Sequence, residues 1–550
     1  MAQRVAIIGG GSSGLSCIKC CLVEGLEPVC FESSDDIGGL WKFKETLEAE
    51  QSSMYRSLVV NTSKEMMCYS DFPMPEHYPN YMHHSKLLQY LRLYAEHFDL
   101  LKYIRFQTKV LSVTQRHDFS CSGQWDVVTK NRDGHEETLV FDAVLVCSGH
   151  FTHPFTPLSA FPGIDTFSGK CYHSWEYKDP HPFVGKKVVV IGIGNSGGDI
   201  AVEISRVAEK TFLSTRKGAW VVGRLAKNGL PLDTMMVTRS NALLLQLFPR
   251  ALLNWAVERS YNQKYNHRLY SLQPRHRILD QRPVINDDLP GRILQGALEV
   301  KPNIREFQGS TVVFDNDAVE KGIDAVVFCT GYMATFPFLS SSMNNELHNE
   351  LSLFRRVFPP FLEHPTMAFI GLLNASGPIM PLVEMQARWA CRVFAGLNHL
   401  PPAAKMLKIT EKDWKANKQR YSCPKKAALE VDYIPYMDSI AQEIGVHPSL
   451  SWLLLTDPVL GLNVFFGPCT PYQFRLCGPG QWSGARQAIL TQWKRVTKPL
   501  MTRPIPGPES SGLTYWLSLT GGVILLVAVI ALHRRKEIFI NNQISRLTFV

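Results

Sequence analysis

The sequence predicts an α/β protein with two Rossmann-type nucleotide-binding domains, followed by a C-terminal transmembrane helix. Three observations predict this organisation. Residues 5–14 (VAIIGGGSSG) and 188–197 (VVVIGIGNSG) each run from a short apolar strand into the spacing Gly-x-Gly-x-x-Gly. Residues 141–150 and 323–332 share a second pattern: Asp-Ala-Val, two apolar residues, Cys, Ser or Thr, and Gly. Residues 513–532 form an apolar stretch without a charge.

Length and composition limit the classes of protein. The chain has 550 residues, 45% hydrophobic and 19% charged, so it is globular and long enough for more than one domain. Its net charge of +9 comes from scattered basic residues, which argues against a nucleic-acid partner. Thirteen cysteines are too few for a disulfide scaffold, and a first strand at Val5 leaves no room for a secretory signal. We therefore expect a reducing, cytosolic setting for the body of the chain.

The first glycine motif is followed by every element that a dinucleotide site needs. The first glycine makes the tight turn, the second lets a pyrophosphate approach the backbone, and the third lets the helix pack closely. The next strand ends at Glu32, eighteen residues past Gly14, where a carboxylate can hold ribose hydroxyls. The predicted cofactor-binding residues of this copy are Gly9, Gly10, Gly11, Ser12, Ser13, Gly14 and Glu32.

The second copy has the same order of elements but a different end to its second strand. Thr215 stands eighteen residues past Gly197, at the position that matches Glu32, and Arg216 follows it. A carboxylate there would repel a ribose 2′-phosphate, whereas a hydroxyl and a guanidinium can bind one. This copy therefore suits NADPH. Its predicted cofactor-binding residues are Gly192, Gly194, Asn195, Ser196, Gly197, Gly198, Thr215 and Arg216.

The two copies have nearly equal length, which indicates a tandem duplication. Gly14 to Gly149 spans 135 residues, and Gly197 to Gly331 spans 134. Two nucleotide sites allow one nucleotide to reduce the other, so we expect a flavoprotein in which NADPH reduces FAD.

Disulfide reduction is one use of such a pair of cofactors. The only CxxC here, Cys17 to Cys20, lies inside the first predicted helix, where core cysteines are the better interpretation. The other use is delivery of electrons to oxygen, which this sequence favours.

A motif between the two copies makes the function more specific. Residues 167–177 (FSGKCYHSWEY) match F-x-G-x-x-x-H-x-x-x-Y. This resembles the identifying sequence of the flavin-containing monooxygenases, and the sequence is identified as a vertebrate-type microsomal member. The resemblance covers nearly the whole chain, including the segments 38–41, 61–73, 380–390 and 465–482.

The resemblance implies a reaction and a set of site residues. NADPH would reduce FAD, O₂ would form a C4a-hydroperoxyflavin, and bound NADP⁺ would protect it until a soft nitrogen or sulfur of a small amine or sulfide takes the oxygen. Asn61 would act at the flavin edge as the catalytic residue. The resemblance also implies that the FAD is lined by Leu40, Trp41, Val60, Asn61 and Thr62. We expect no catalytic triad and no metal site.

Related enzymes leave other reactions open. Baeyer–Villiger oxygenases carry a similar motif, usually with Trp in the last place, where this chain has Tyr177 followed by Lys178. That difference favours nitrogen and sulfur oxygenation. Ketone oxygenation and uncoupled NADPH oxidation remain alternatives with the same cofactors, and a non-catalytic nucleotide-binding protein is a further one.

The predicted domain organisation follows from these motifs. The FAD domain occupies residues 1–155 and resumes over 331–500, with the NADPH domain, residues 156–330, inserted between. Residues 501–512 form a linker rich in Pro, Gly and Ser, and residues 513–532 a tail anchor in the endoplasmic reticulum (microsomal) membrane.

The membrane orientation is less directly specified by the sequence. The basic cluster at 533–536 conflicts with the positive-inside rule for a cytosolic body.

Residues 240–275 are predicted to form a surface helical region, either on the membrane or packed in the ordinary way. Homo-oligomerisation is left open.

Overall fold

The fold is given by a computed structural model that describes residues 3–48, 50–347, 353–421 and 428–503. The predicted transmembrane segment and most of the predicted linker lie outside these residues. Within the described ranges, no helix is long and apolar enough to cross a membrane.

The described residues form 22 β-strands and 16 α-helices, numbered in chain order. The strands β1 to β22 are Arg4–Ile8, Glu27–Phe31, Ile104–Arg105, Lys109–Gln115, Trp125–Lys130, Glu136–Phe141, Ala143–Val146, His153–Pro154, Lys170–His173, Lys187–Ile191, Lys210–Ser214, Val221–Val222, Val284–Ile285, Leu298–Lys301, Ile304–Gln308, Thr311–Phe314, Val319–Glu320, Ala325–Phe328, Tyr332–Met333, Met367–Phe369, Asn374–Ser376 and Glu430–Asp432. The helices α1 to α16 are Ser12–Val23, Lys64–Met67, His84–His97, Phe119–Ser122, Asn195–Ile204, Leu232–Met236, Arg239–Leu247, Arg250–Asn262, Leu289–Leu294, Ser341–Leu347, Met380–Phe394, Ala403–Arg420, Tyr433–Ile444, Leu450–Thr456, Pro458–Phe466 and Ala485–Thr497.

The first sheet has the order β20-β7-β1-β2-β3, and all of its strand pairs are parallel. Its central strand β1 is buried on both faces, which is why its sequence is a continuous apolar run. Strand β20 joins this sheet only after the chain has built the second one, so the first sheet contains two separate chain segments. A discontinuous first domain requires such an arrangement, although its boundaries at residues 155 and 330 remain a prediction.

The second sheet has the order β14-β11-β10-β18-β9 and is also parallel throughout. The strand before the glycine turn is central in both sheets: β1 lies between β7 and β2, which leads to Glu32, and β10 lies between β18 and β11, which leads to Thr215. The two parallel sheets confirm the predicted α/β class with Rossmann-like units. Strand β9, at the edge of the second sheet, is part of the motif at residues 167–177.

We call the part of the fold built on the first sheet the first unit and the part built on the second sheet the second unit. In the first unit, α11 packs against α1. The carboxylate of Glu384 on α11 is buried and accepts hydrogen bonds from Ser70 N (2.7 Å) and Arg475 Nη2 (2.9 Å). A charge buried in this way is tolerated because it is paired and hydrogen-bonded. Cys17 and Cys20 on α1 are buried free thiols, in agreement with their interpretation as core residues.

The predicted surface region at residues 240–275 begins with α7 and α8. No side chain of α7 is buried, and Asn254 is the only buried side chain of α8. Leu245 and Trp255 are each more than half exposed. These two helices therefore lie at the surface of the described fold, and a role at a membrane stays a prediction.

Candidate nucleotide-binding site

The first glycine turn connects β1 to α1 with no room for a side chain at its first and third glycines. Gly9 has φ +106°, a conformation that L side chains rarely adopt. A Cβ on Gly14 would lie 1.9 Å from Gly9 O. Gly11 is the N-cap residue of α1, where free backbone N–H groups favour an anion. The turn therefore has the shape and the polarity of a pyrophosphate site.

The second turn repeats this geometry between β10 and α5. Gly192 has φ +103°, and a Cβ on Gly197 would lie 2.0 Å from Gly192 O. A Cβ on Gly194, in contrast, would meet no atom within 4 Å. Packing among the described residues thus does not require a glycine at 194, and close approach of a ligand is a physical reason for one there.

The segments that follow β7 and β18, which belong to the internal repeat, contact the first and the second glycine turn. A Cβ on Gly9 would lie 2.8 Å from Cys147 O, and one on Gly192 would lie 2.6 Å from Cys329 O. The segment Gly39–Trp41, which contains Leu40 and Trp41, approaches the first turn because Gly39 packs on Gly11.

The carboxylate of Glu32 lies beside the first turn. Glu32 Oε2 accepts from Gly10 N (2.6 Å), and Oε1 accepts from Ser34 N (2.7 Å). Glu32 is 7% exposed; Oε1 also accepts from Ser33 Oγ (3.5 Å), and Oε2 keeps a further lone pair for a ribose hydroxyl. This geometry fits the predicted role of Glu32.

The corresponding residues of the second unit have no carboxylate. Thr215 Oγ1 accepts from Gly218 N (3.1 Å), and Arg216 is exposed beside it. Asn195, the first residue of α5, also contacts β13, because its Oδ1 accepts from Ile285 N (3.0 Å). An exposed guanidinium at this strand end fits a phosphate group.

Asn61, the predicted catalytic residue, lies where the two units meet. Arg224 Nη2 donates to Asn61 Oδ1 (2.7 Å), and Arg224 Nη1 pairs with Asp287 Oδ2 (2.8 Å). Just after Asn61, Ser63 N donates to the half-buried carboxylate of Asp233 (2.6 Å). Burial raises the pKa of Asp233 above its usual value. Val60 is buried and Thr62 half-buried.

Sequence reasoning missed Arg224 and Asp233. Neither residue belongs to a motif, and each is separated from Asn61 by more than 150 residues. No local pattern indicated them, because their relation to Asn61 exists only once the two units pack together.

The motif at residues 167–177 makes contacts within the protein. His173 Nε2 lies 3.1 Å from Gly331 O, and burial lowers the pKa of the imidazole, so it is neutral at physiological pH. Tyr177 OH donates to Glu203 Oε2 (2.8 Å) on α5. A Cβ on Gly169 would lie 2.5 Å from Asp324 O. These contacts are what a structural role requires.

Comparison with known proteins identifies the family. Residues 2–534 match the family described as FMO-like, flavin-binding monooxygenase-like. The chain is a member of the flavin-containing monooxygenase family. Flavin-containing monooxygenase 5 of Mus musculus is 51% identical over 96% of this chain and 98% of its own length. Dimethylaniline monooxygenase [N-oxide-forming] 2 of Cavia porcellus is 48% identical over the same shares of the two chains.

Solved structures share the fold of this flavin-containing monooxygenase. The S-allyl-L-cysteine S-oxygenase of Allium sativum is 24% identical, with a TM-score of 0.61 over 81% of this chain and 89% of that one. A cyclohexanone monooxygenase is 18% identical, with a TM-score of 0.59 over 80% and 97%. Family membership confirms the predicted monooxygenase class and its cofactors, FAD and NADPH. The assignment of individual residues to each cofactor remains a proposal.

Proposed function

We propose that this protein uses NADPH and O₂ to oxygenate soft nucleophilic nitrogen or sulfur atoms of small amines and sulfides. The observation that carries the proposal is the pair of glycine turns with unlike partners, Glu32 at the first and Thr215 with Arg216 at the second. The units that carry these turns are joined at Asn61 by the hydrogen bond from Arg224. FAD binds at the first turn and NADPH at the second. The bound flavin supplies the electrons that activate O₂, so that one oxygen atom enters the substrate and the other leaves as water.

The residues of the chain bind and orient the two nucleotides. Glu32 accepts from the ribose hydroxyls of FAD, and the amides at the start of α1 hold its pyrophosphate. Arg216 and Thr215 hold the 2′-phosphate of NADPH, and the first residues of α5, from Asn195 to Gly198, hold its pyrophosphate. Retention of NADP⁺ by these residues would keep water from the flavin edge.

Asn61 is oriented by the second unit for work at the flavin edge. Arg224 donates to its Oδ1 and thereby fixes the orientation of the amide, and no described residue accepts from its Nδ2 donor, which is available to a ligand. Arg224 Nε is itself buried without a hydrogen-bond partner among the described residues. Both donors fit an acceptor that a bound cofactor brings to this point.

Replacement of Asn61 tests this assignment. We expect Asn61→Ala to retain FAD but to lower the product formed per NADPH by about tenfold or more, since a lost donor in a dry site costs a few kcal/mol. Hydrogen peroxide rises correspondingly. Asn131→Ala is the matched control, because Asn131 is a turn asparagine that binds only backbone amides at Asp133 and His135. Equal coupling in N61A and wild type would remove Asn61 from the mechanism.

The reaction class is tested by product analysis under ¹⁸O₂ with a sulfide, a tertiary amine and a ketone. We expect one labelled oxygen in the sulfoxide and the N-oxide, with NADPH consumed in near equal amount. An ester from the ketone as the main product would instead establish Baeyer–Villiger oxygenation. Stoichiometric hydrogen peroxide without any oxygenated product would establish an NADPH oxidase.

We also propose that residues 513–532 anchor the protein in the endoplasmic reticulum membrane with its body in the cytosol. Exposed apolar side chains near residue 503, where the last described range ends, support membrane contact on that side of the described fold. Trp452 is 64%, Leu455 80% and Met501 75% exposed. Helix α14, which carries Trp452 and Leu455, packs on α15, and α15 packs on α16, which leads to Met501.

Membrane association is tested in two steps. The full chain is expected to resist extraction from microsomes by alkaline carbonate, and a chain that ends at residue 503 is expected to be extracted. The shortened chain should still float with lipid vesicles, and W452E/L455E should weaken that binding by about tenfold or more, given about 1.5–3 kcal/mol for each large apolar side chain. Carbonate extraction of the full chain would contradict the anchor.

A further inference from the structure

The segment that precedes Asn61, residues 51–58, is bonded to both units, and its contacts with the second unit connect it to the second glycine turn. We call it the strap. Trp175 Nε1 donates to Gln51 O (2.8 Å), and Lys178 Nζ donates to Ser53 Oγ (2.7 Å). Arg56 N donates to Lys178 O (2.8 Å). The strap is therefore attached to residues at and just after the end of the motif at 167–177.

Two strap residues bond to the helix of the second glycine turn: Ser57 donates to Glu203, and Tyr55 donates to Asp199. Tyr55 OH donates to Asp199 Oδ2 (2.6 Å), and the Tyr55 side chain is buried. Asp199 lies in the first half of α5, directly after the residues Asn195 to Gly198 that we assign to the NADPH pyrophosphate. Burial raises the pKa of Tyr55 well above its usual value, and the Asp199 charge raises it further, so the hydroxyl remains a donor at physiological pH.

A second connection runs from the same helix to Asn61. Asn286 Nδ2 donates to Asp199 Oδ1 (2.7 Å), so both carboxylate oxygens of Asp199 are occupied. The next residue, Asp287, forms the ion pair with Arg224, which binds Asn61. Two connections between α5 and Asn61 therefore start at Asp199. One runs through Tyr55 and the strap, and the other through Asn286, Asp287 and Arg224.

We propose that Tyr55 and Asp199 are positioning residues that couple occupancy of the second nucleotide turn to the placement of Asn61. A phosphate at the N-terminus of α5 restricts the motion of its first turns, and Asp199 restricts Tyr55 and the strap in consequence. Asn61 is then most firmly held when NADP⁺ is bound, which is when the flavin edge has to be kept dry. This inference rests on the proposed binding of NADPH at the second turn.

Hydrogen–deuterium exchange on the full-length, FAD-loaded protein in detergent tests the coupling without turnover. In wild type, saturating NADP⁺ is expected to slow amide exchange both at residues 192–199 and in the strap. In Tyr55→Phe the slowing at 192–199 should persist, and the slowing in the strap should fall by about fivefold or more, as expected for the loss of one buried hydrogen bond to a charged group.

A matched variant separates coupling from a general weakening of α5. Tyr177→Phe removes a comparable hydrogen bond from a buried tyrosine to a carboxylate of the same helix, and it leaves in place the ring contact with Tyr55 and the bond from Ser57 of the strap to Glu203. It should retain strap protection by NADP⁺. Asp199→Asn should also retain it, because an amide can pair with both Tyr55 and Asn286. Asp199→Ala removes the acceptor and provides an independent variant if Y55F does not retain FAD.

The outcomes distinguish the two proposals. Absence of protection at 192–199 in wild type would contradict the NADPH site itself. Protection there without protection of the strap, or strap protection that survives in Y55F, would overturn the coupling alone. An equal loss in Y177F would also overturn it. In turnover, Y55F is expected to release about fivefold more hydrogen peroxide per NADPH, with the KM for NADPH changed less than about twofold.

Discussion

Gly197→Ala is expected to disrupt the second unit and abolish NADPH binding, whereas Gly194→Ala is expected to fold and to lose only nucleotide affinity. A Cβ on Gly197 would lie 2.0 Å from a backbone oxygen that cannot move without distorting the turn. Overpacking against backbone of this kind costs more than about 3 kcal/mol of unfolding free energy. At Gly194 the space around the Cβ is open, so the unfolding free energy should change by no more than about 1 kcal/mol.

The NADP⁺ dissociation constant of Gly194→Ala is the informative measurement. We expect it to rise by about tenfold or more, since a methyl group would stand between the helix amides and the pyrophosphate. Thermal unfolding and FAD content supply the control for folding in both variants. Unchanged NADP⁺ affinity in a folded G194A protein would show that the pyrophosphate does not bind at this turn.

Arg216→Ala is expected to lower kcat/KM for NADPH by about 10- to 100-fold and to leave kcat/KM for NADH nearly unchanged, because a hydrogen bond between charged groups is worth about 1.5–3 kcal/mol. Only NADPH carries the 2′-phosphate that the guanidinium binds. The effect should shrink at high salt, since Arg216 is exposed. The measurement is the ratio of the two kcat/KM values at low and at high ionic strength.

Neighbouring substitutions make the specificity test stricter. Lys217→Ala removes an exposed cation next to Arg216 and should change the ratio by less than about threefold. Thr215→Glu places a carboxylate where Glu32 stands in the first unit and should shift preference toward NADH. A parallel fall for both nucleotides in R216A would contradict a role in recognising the 2′-phosphate.

Local sequence was sufficient to predict the structure wherever a short segment folds through contacts with its own neighbours. The strand, glycine turn and helix around Gly9 and Gly192 were predictable because positive φ and close packing at these positions exclude every residue but glycine. The position of Glu32 was predictable because it directly follows β2, which pairs with β1; its role in binding ribose stays a prediction. The family was predictable from the motif at 167–177 together with its companion segments, and its confirmation extends over nearly the whole chain.

The role of that motif could not be read from its own residues. Phe167, His173 and Tyr177 have the residue types of a ligand site, yet their contacts are with other parts of the protein. Whether these residues bind a ligand or hold parts of the protein together depends on what packs against the edge strand β9. That packing involves segments far away in the chain.

The sequence by itself determined the α/β class, the duplicated glycine turns, the residue that follows each second strand and the family. Each of these depends on contacts within a few tens of residues, where spacing and residue type specify the geometry. Only the tertiary structure decided what surrounds Asn61. Arg224, Asp233 and the strap lie near it because two units pack against each other, and contacts between units leave no periodic or spaced pattern in either segment.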